Sequence, residues 1–253
     1  YRRADWERVG GYNTELQARE DWAFWISVLK DGGEVVQLPE VGLRYRIRRG
    51  SKRTADRQRF RQVIDTLNRL HPEFMERELN GPLHYRRTWS RLFNRLYRLT
   101  HPRRVFVADG CEELTDYVKA MPRLFRYGWG QLIHDKRNQL RRMTLRGNDV
   151  VVKSFAIPNI VNRFVYGTFR ASKAQRSFDY ALLLRSWGLG SPEPVAWVSE
   201  RSGLLFSRSY YVSRQSQLPH SYVDIIQGKV DADLAQRYLV AVAQTAARLH
   251  QHD

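Results

Sequence analysis

The segment 78–104 constrains this chain more than any other part of it. At about 100° per residue, Trp89, Leu92, Phe93, Leu96, Tyr97 and Leu99 fall on one arc of a helix. Arg87, Arg91, Arg95 and Arg98 fall on the opposite arc, and no acidic residue interrupts them. Such a basic amphipathic helix suits the plane of an anionic membrane, with aromatics in the interface and arginines on head groups. The alternative is a helix packed on its own domain with its arginines in solvent. His101-Pro102 breaks the helix, so the segment is a connector between a part at 1–77 and a part at 105–253.

The charge of the whole chain points the same way. It carries 43 Lys+Arg against 26 Asp+Glu, a formal net charge of +17, which suits nucleic acid, an anionic surface or a phosphorylated substrate. No zinc-finger spacing, RNA-recognition signature or clear helix-turn-helix pattern accompanies it, so nucleic acid is not the expected partner. Hydrophobic residues reach 42%, enough to build cores, which excludes wholesale disorder. No apolar run approaches the roughly 18–20 residues of a membrane-spanning helix, and no signal peptide opens the chain. The single cysteine, Cys111, excludes an internal disulfide and fits a reducing compartment. His250 and His252 stand two apart without further ligands, so no metal site is assigned. The chain opens on Tyr1 and stops at Asp253 at the end of a helical pattern, and it is expected to be a piece of a longer protein.

Helix and strand signals alternate in the first part. Arg3–Val9 reads as a short helix closed by Gly10-Gly11. Thr14 and Gln17 have capping-box spacing ahead of a helix through Trp22, Trp25, Ile26 and Leu29, which Asp31-Gly32-Gly33 ends. Strands are expected at 34–38 and 41–47, and an amphipathic helix near 55–70. In the last part, 112–119 reads as helix, 131–145 as a strand hairpin and 149–155 as a strong strand. Ser172 and Gln175 cap a helix that runs to Trp187 and stops at Gly188. Strands follow at 195–198 and 204–212 around the turn Glu200-Arg201-Ser202-Gly203, and a final helix spans 232–250.

Two places carry candidate chemistry. Glu20-Asp21 stands where a helix begins, a position that favours carboxylates through the dipole and free amides. A carboxylate held there could take a proton from a hydroxyl nucleophile. Arg2–Asn13 with Gly10-Gly11-Tyr12, then Glu20-Asp21-Trp22-Ala23-Phe24-Trp25, Leu38-Pro39-Glu40 and Tyr45-Arg46-Ile47, resembles the C-terminal part of family 2 inverting glycosyltransferases. The resemblance implies that Asp21 is the base for the acceptor hydroxyl, Glu20 its acidic neighbour, and Gly10, Gly11 and Tyr12 the acceptor side. A nucleotide sugar with a divalent metal would be the donor, and its Asp-x-Asp half is expected upstream of Tyr1. Arg48 stands where many relatives have His.

The second place is Lys153, which alternation puts on one strand face with Val151 and Phe155. An ammonium there snorkels to water or serves as a point charge for phosphates. Lys136-Arg137-Asn138, Val152–Phe155, Ser172–Phe178 and Gly188–Ala196 resemble the lipopolysaccharide (Kdo/heptose) kinase family, whose members resemble protein kinases in fold. The resemblance implies ATP and Mg2+ as cofactors, Lys153 on the α- and β-phosphates, and Ser209, Tyr210, Tyr211 and Val212 as the hinge that meets adenine. No Gly-x-Gly-x-x-Gly loop precedes Lys153, and Ser177 stands where the lysine's usual glutamate partner aligns, with Asp179 the nearest acid. The catalytic loop is expected after Asp253.

The combined expectation is an α+β chain: the end of a GT-A-type α/β glycosyltransferase, a basic connector, and a protein-kinase-like N-lobe of antiparallel sheet plus helix with the start of a C-lobe. It implies a bifunctional cell-envelope glycan transferase, inactive as this piece alone. The acceptor would be a lipid-linked saccharide or lipopolysaccharide core, met in the cytoplasm at the inner face of the inner membrane. The alternative is a non-catalytic basic module that binds nucleic acid or anionic glycan.

Overall fold

The structure, a computed structural model, describes residues 1–251 apart from 17, 38, 43, 45–51, 158–169, 219 and 221; of 52–58 it describes the helical backbone alone. The chain is α+β, built on one six-stranded antiparallel sheet. Its first part is helical: α1 (Arg3–Arg8), α2 (Glu20–Leu29), α3 (Lys52–Leu70) and α4 (Pro72–Leu79). Then come α5 (Ser90–Thr100), β1 (Arg103–Val107), α6 (Thr115–Arg126), β2 (Gln131–Asp135), β3 (Gln139–Leu145) and β4 (Asn148–Ser154). The chain continues through α7 (Lys173–Ser186), β5 (Pro194–Ser202), β6 (Leu205–Arg214), α8 (Tyr222–Ile226) and α9 (Ala232–His250).

The strands lie in the order β1-β5-β6-β4-β3-β2. Period-two alternation sorts their side chains. Val150 and Val152 of β4, Val198 of β5 and Tyr210 and Val212 of β6 are buried against Leu114, Val118, Met121 and Leu124, so α6 closes one face of the sheet. Helix α7 covers β5 and β6 on the other face, where Phe178 meets Phe106 of β1 edge to face at 5.2 Å and Phe106 stacks on Trp197 at 6.3 Å. Ser172 caps α7 as its spacing indicates, its hydroxyl accepting from the Gln175 amide at 3.1 Å. Asp231 caps α9 in the same way through Leu234.

Several expectations are corrected. Helix α2 starts at Glu20, with Arg19 at its N-cap in the left-handed region (φ 55°), so Thr14 does not cap it; Gln17 lies outside the described residues. Residues 34–37 form no strand: Val35 and Val36 are exposed and no neighbouring strand pairs with them. Most of the expected strand at 41–47 lies outside the described residues. Arg103 and Arg104 belong to β1, whose Arg103 registers with Glu200 of β5, so the connector ends at Pro102. Helix α5 also faces the opposite way from a helix packed on its apolar side: Ser90 and Asn94 are buried, while Trp89, Leu92, Phe93, Leu96, Tyr97 and Leu99 are exposed.

Glu76 of α4 joins the helical part to the sheet. Its carboxylate pairs with Arg98 of α5, lies 2.8 Å from Arg123 of α6 and 3.8 Å from Arg103 of β1. Arg103 also binds Glu200 of β5 at 2.8 Å, and Arg123 donates to the carbonyl of Pro72 at 2.6 Å. Trp129 adds an indole hydrogen bond to the carbonyl of Arg69 at 2.9 Å. Because Arg123 and Glu76 are almost fully buried, Glu76→Gln leaves guanidinium charge without its counter-ion. Chemical denaturation should show a loss of about 3–5 kcal/mol, and an unchanged midpoint would contradict the joining role of Glu76.

Candidate functional site

The structure brings together the residues expected at the acceptor side. After α1, Gly10 and Gly11 both adopt positive φ (76° and 75°), which turns the chain back over α2. A Cβ on Gly11 would lie 2.7 Å from the Trp6 ring, so only glycine fits between α1 and this turn. Tyr12 then rests on Phe24 at 4.9 Å, beside Tyr1, which meets the same ring at 4.7 Å. The Tyr12 phenol is raised above its ordinary value, first by its hydrogen bond with Tyr1 and further by the negative charges of Asp21 and Glu20. Asp21 is exposed in the first turn of α2 and Glu20 is half-buried. Both carboxylates therefore lie within electrostatic reach of Tyr12, with Asp21 the one that faces water.

Two arginines stack on the aromatic rings of α2 and α3. The Arg19 guanidinium lies 4.9 Å from the Trp22 ring and Arg87, from the connector, 4.8 Å from it; both also reach Phe60. Arg48, Tyr45, Arg46, Ile47 and Leu38 lie outside the described residues. Behind the turn is a small cavity of about 150 Å3 lined by Gly10, Gly11, Phe24, Ser27 and His71 among others. The Ser27 hydroxyl lies 3.4 Å from His71 Nε2, while Nδ1 is buried with no hydrogen-bond partner. The only sequence sign of this arrangement is His71 ahead of Pro72, where α3 ends and α4 begins.

At the second place, Lys153 of β4 registers with Leu140 of β3 and Tyr211 of β6. It is half-buried, its ammonium 5.1 Å from the Phe155 ring centroid, and among the described residues it makes no ion pair. On α7, Ser177 is half-buried and Asp179 exposed, and neither pairs with the lysine. The hinge expected at Ser209, Tyr210, Tyr211 and Val212 is corrected. These four residues lie inside β6, and residues 210–212 pair with β4 on one side and β5 on the other. Their backbone groups are consumed by the sheet, and the chain leaves it only at Gln215–Leu218. Tyr210 points to α6, meeting Phe125 at 5.3 Å, and Tyr211 lies on the lysine side; burial pushes both phenols up to about 12.

A lone ammonium on an apolar face fits a phosphate oxygen as its counter-ion. A divalent metal has less support, since among the described residues no group of three or more His, Cys, Asp or Glu is placed to hold one. No described helix is long and apolar enough to cross a membrane. Comparison with family models, curated proteins and solved structures finds no match to this chain.

His71 gives this region a pH signature. Burial, then the charge of Lys30, lowers it from 6.5 to about 4. Between those values the unfolded chain binds the proton and the folded one does not, so stability rises with pH from 4 to 6.5 and is full above 6.5. The wild type should gain about 3 kcal/mol more than His71→Gln across that window. Parallel stability–pH curves for the two proteins, measured by denaturant unfolding, would show that His71 titrates normally.

Proposed function

We propose that residues 105–251 are the nucleotide-binding part of a sugar kinase of the lipopolysaccharide kinase kind, and that residues 1–77 are the acceptor side of an inverting glycosyltransferase of GT-A type. The observation that carries the reading is Lys153. It stands on the third strand of an antiparallel set, β2-β3-β4, with α7 the next described helix, and among the described residues its ammonium meets the Phe155 ring and no carboxylate. Protein-kinase-like enzymes keep their phosphate-binding lysine on the third strand of such a sheet.

In this reading Lys153 holds the α- and β-phosphates of ATP, the cofactor that supplies the phosphoryl group. The Lys136-Arg137-Asn138 turn between β2 and β3 lies on the same side of the register, since Leu140 is the neighbour of Lys153. The segment 215–218, which follows β6, is a nearer candidate for adenine than 209–212, although the Gln215 amide is bonded to the carbonyl of Asp149 and the Leu218 amide to the Ser216 hydroxyl. In the other part Asp21 takes the proton of the acceptor hydroxyl, with Tyr12 and the Gly10-Gly11 turn beside it. The exposed apolar side of α5, with Arg86 and Arg95 also in solvent, supports docking at an anionic membrane surface where lipid-linked saccharides are met.

Calorimetric titration with ATP at fixed ionic strength tests the reading. The wild type should bind one ATP and Lys153→Ala should weaken it about tenfold or more, the worth of one charge-assisted contact. Equal ATP affinity in both proteins, with single-stranded DNA bound more tightly than ATP and released steeply by salt, would favour the non-catalytic basic module instead.

A further inference from the structure

A second cavity, of about 320 Å3, opens between α5, α6 and the loop after α4. Arg98, Arg103, Arg123 and Arg126 line it, with Phe93 and Tyr97 on its outer wall. Arg123 is only 3% exposed, and its Nε and Nη1 have no hydrogen-bond partner, although Nη2 is engaged by Pro72 and Glu76. Those two atoms have almost no accessible surface, so the guanidinium groups a ligand in the cavity can reach are those of exposed Arg126 and half-buried Arg98 and Arg103.

The charge count gives the sign of that acceptor. Four arginines reach the cavity, and the carboxylates paired with them are Glu76 and Glu200. Four positive charges against two negative ones leave a surplus of two among the described residues. Burial, then the neighbouring Arg103, holds Arg98 below the usual arginine range, and burial brings Arg123 down to about 10 in spite of Glu76. A phosphate monoester carries about −1.5 to −2 charge near neutral pH and three acceptor oxygens, which matches the surplus. The volume lies in the range of small-ligand sites, about 300–1,000 Å3, so there is room for an organic group against Phe93 and Tyr97. Arginine forks are the side chains best matched to phosphate.

We propose that this cavity is a binding site for a phosphate monoester, borne either by a soluble metabolite or by a membrane lipid. The site is separate from Lys153 and from the Glu20-Asp21 pair and rests on neither transferase reading. Phe93 and Tyr97 belong both to the cavity wall and to the exposed apolar side of α5. A lipid phosphate could therefore enter from a surface on which that helix lies.

Titration of the whole chain with inorganic phosphate, with chloride used to hold ionic strength constant, tests the site. Saturable binding is expected, weakened about tenfold by Arg126→Ala and less by Arg126→Lys. Arg126 is exposed on the rim and unpaired with Glu76, so its removal leaves the fold intact; Arg98→Gln is the second variant and should weaken binding similarly. Vesicles of phosphatidylcholine with phosphatidic acid, compared with pure phosphatidylcholine, separate the sources. Binding to the acidic vesicles that free phosphate displaces and Arg126→Ala weakens supports a lipid ligand. Saturable, Arg126-dependent phosphate binding without such vesicle binding supports a soluble one. Phosphate binding that does not saturate, or is equal in wild type, Arg126→Ala and Arg98→Gln, overturns the proposal.

Discussion

Glu76 is the contact on which the arrangement of the rest depends. One carboxylate on a short helix gathers guanidinium groups from α5, β1 and α6, and through Arg103 it is coupled to Glu200 on β5. Each charge would be costly to bury alone, and the attraction offsets that cost only if all of them hold their geometry together. The first helices are thereby tied to the sheet at one defined orientation, which apolar packing between α4 and α6 alone would specify less sharply. The same cluster leaves positive charge over, and that surplus faces the cavity beside it.

The orientation of α5 follows from this cluster. An amphipathic helix ordinarily buries its apolar side, because about 25 cal/mol is gained for each Å2 of apolar surface removed from water. Here the inward side carries Arg98 to Glu76, Arg91 to the carbonyl of Glu78, and Asn94 to the carbonyls of Leu79 and Pro82. Asn94 also bonds His84 at 2.8 Å. Rolling the helix over would strip Glu76 of a partner and leave these carbonyls unsatisfied, so the polar side wins. The consequence is a row of aromatic and leucine side chains in water, with Leu99 74% and Trp89 52% exposed.

Much of the sheet was legible from local pattern alone. Alternation in 149–155 gave β4 and the face of Lys153, the Ser172–Gln175 spacing gave the start of α7, and Gly188 (φ 69°) its stop. What failed depended on partners distant in the chain. Arg103 and Arg104 look like connector because the groups that make Arg103 a strand residue, Glu76 and Glu200, lie far away in sequence. Residues 209–212, expected as a hinge, lie inside the sheet because β4 pairs with β6 as far as Arg214. Residues 34–37 look like a strand by composition, yet a strand needs a neighbour, and none reaches Val35 or Val36. Near the N-terminus, Gly10-Gly11-Tyr12 and Glu20-Asp21 stood out as residues. That Tyr12 folds back over Phe24 toward the carboxylates depended on two positive φ angles and the Trp6 ring.

The two faces of the sheet divide stability from chemistry. On the α6 side, Leu114, Val118, Met121 and Leu124 pack against the valines so closely that none is exposed, and a charge placed there would have no water and no partner. On the other side α7 rests on β5 and β6, and half-buried Lys153 has its ammonium 5.1 Å from the Phe155 ring centroid. Among the described residues no carboxylate pairs with that half-buried ammonium, which makes an incoming polyanion worth more to it than to a lysine in bulk solvent. The cavity beside α5 gathers more positive charge, four guanidinium groups with Glu76 and Glu200 as their paired carboxylates among the described residues. Spread over a freely solvated surface, the same positive charge would attract anions without holding one in place.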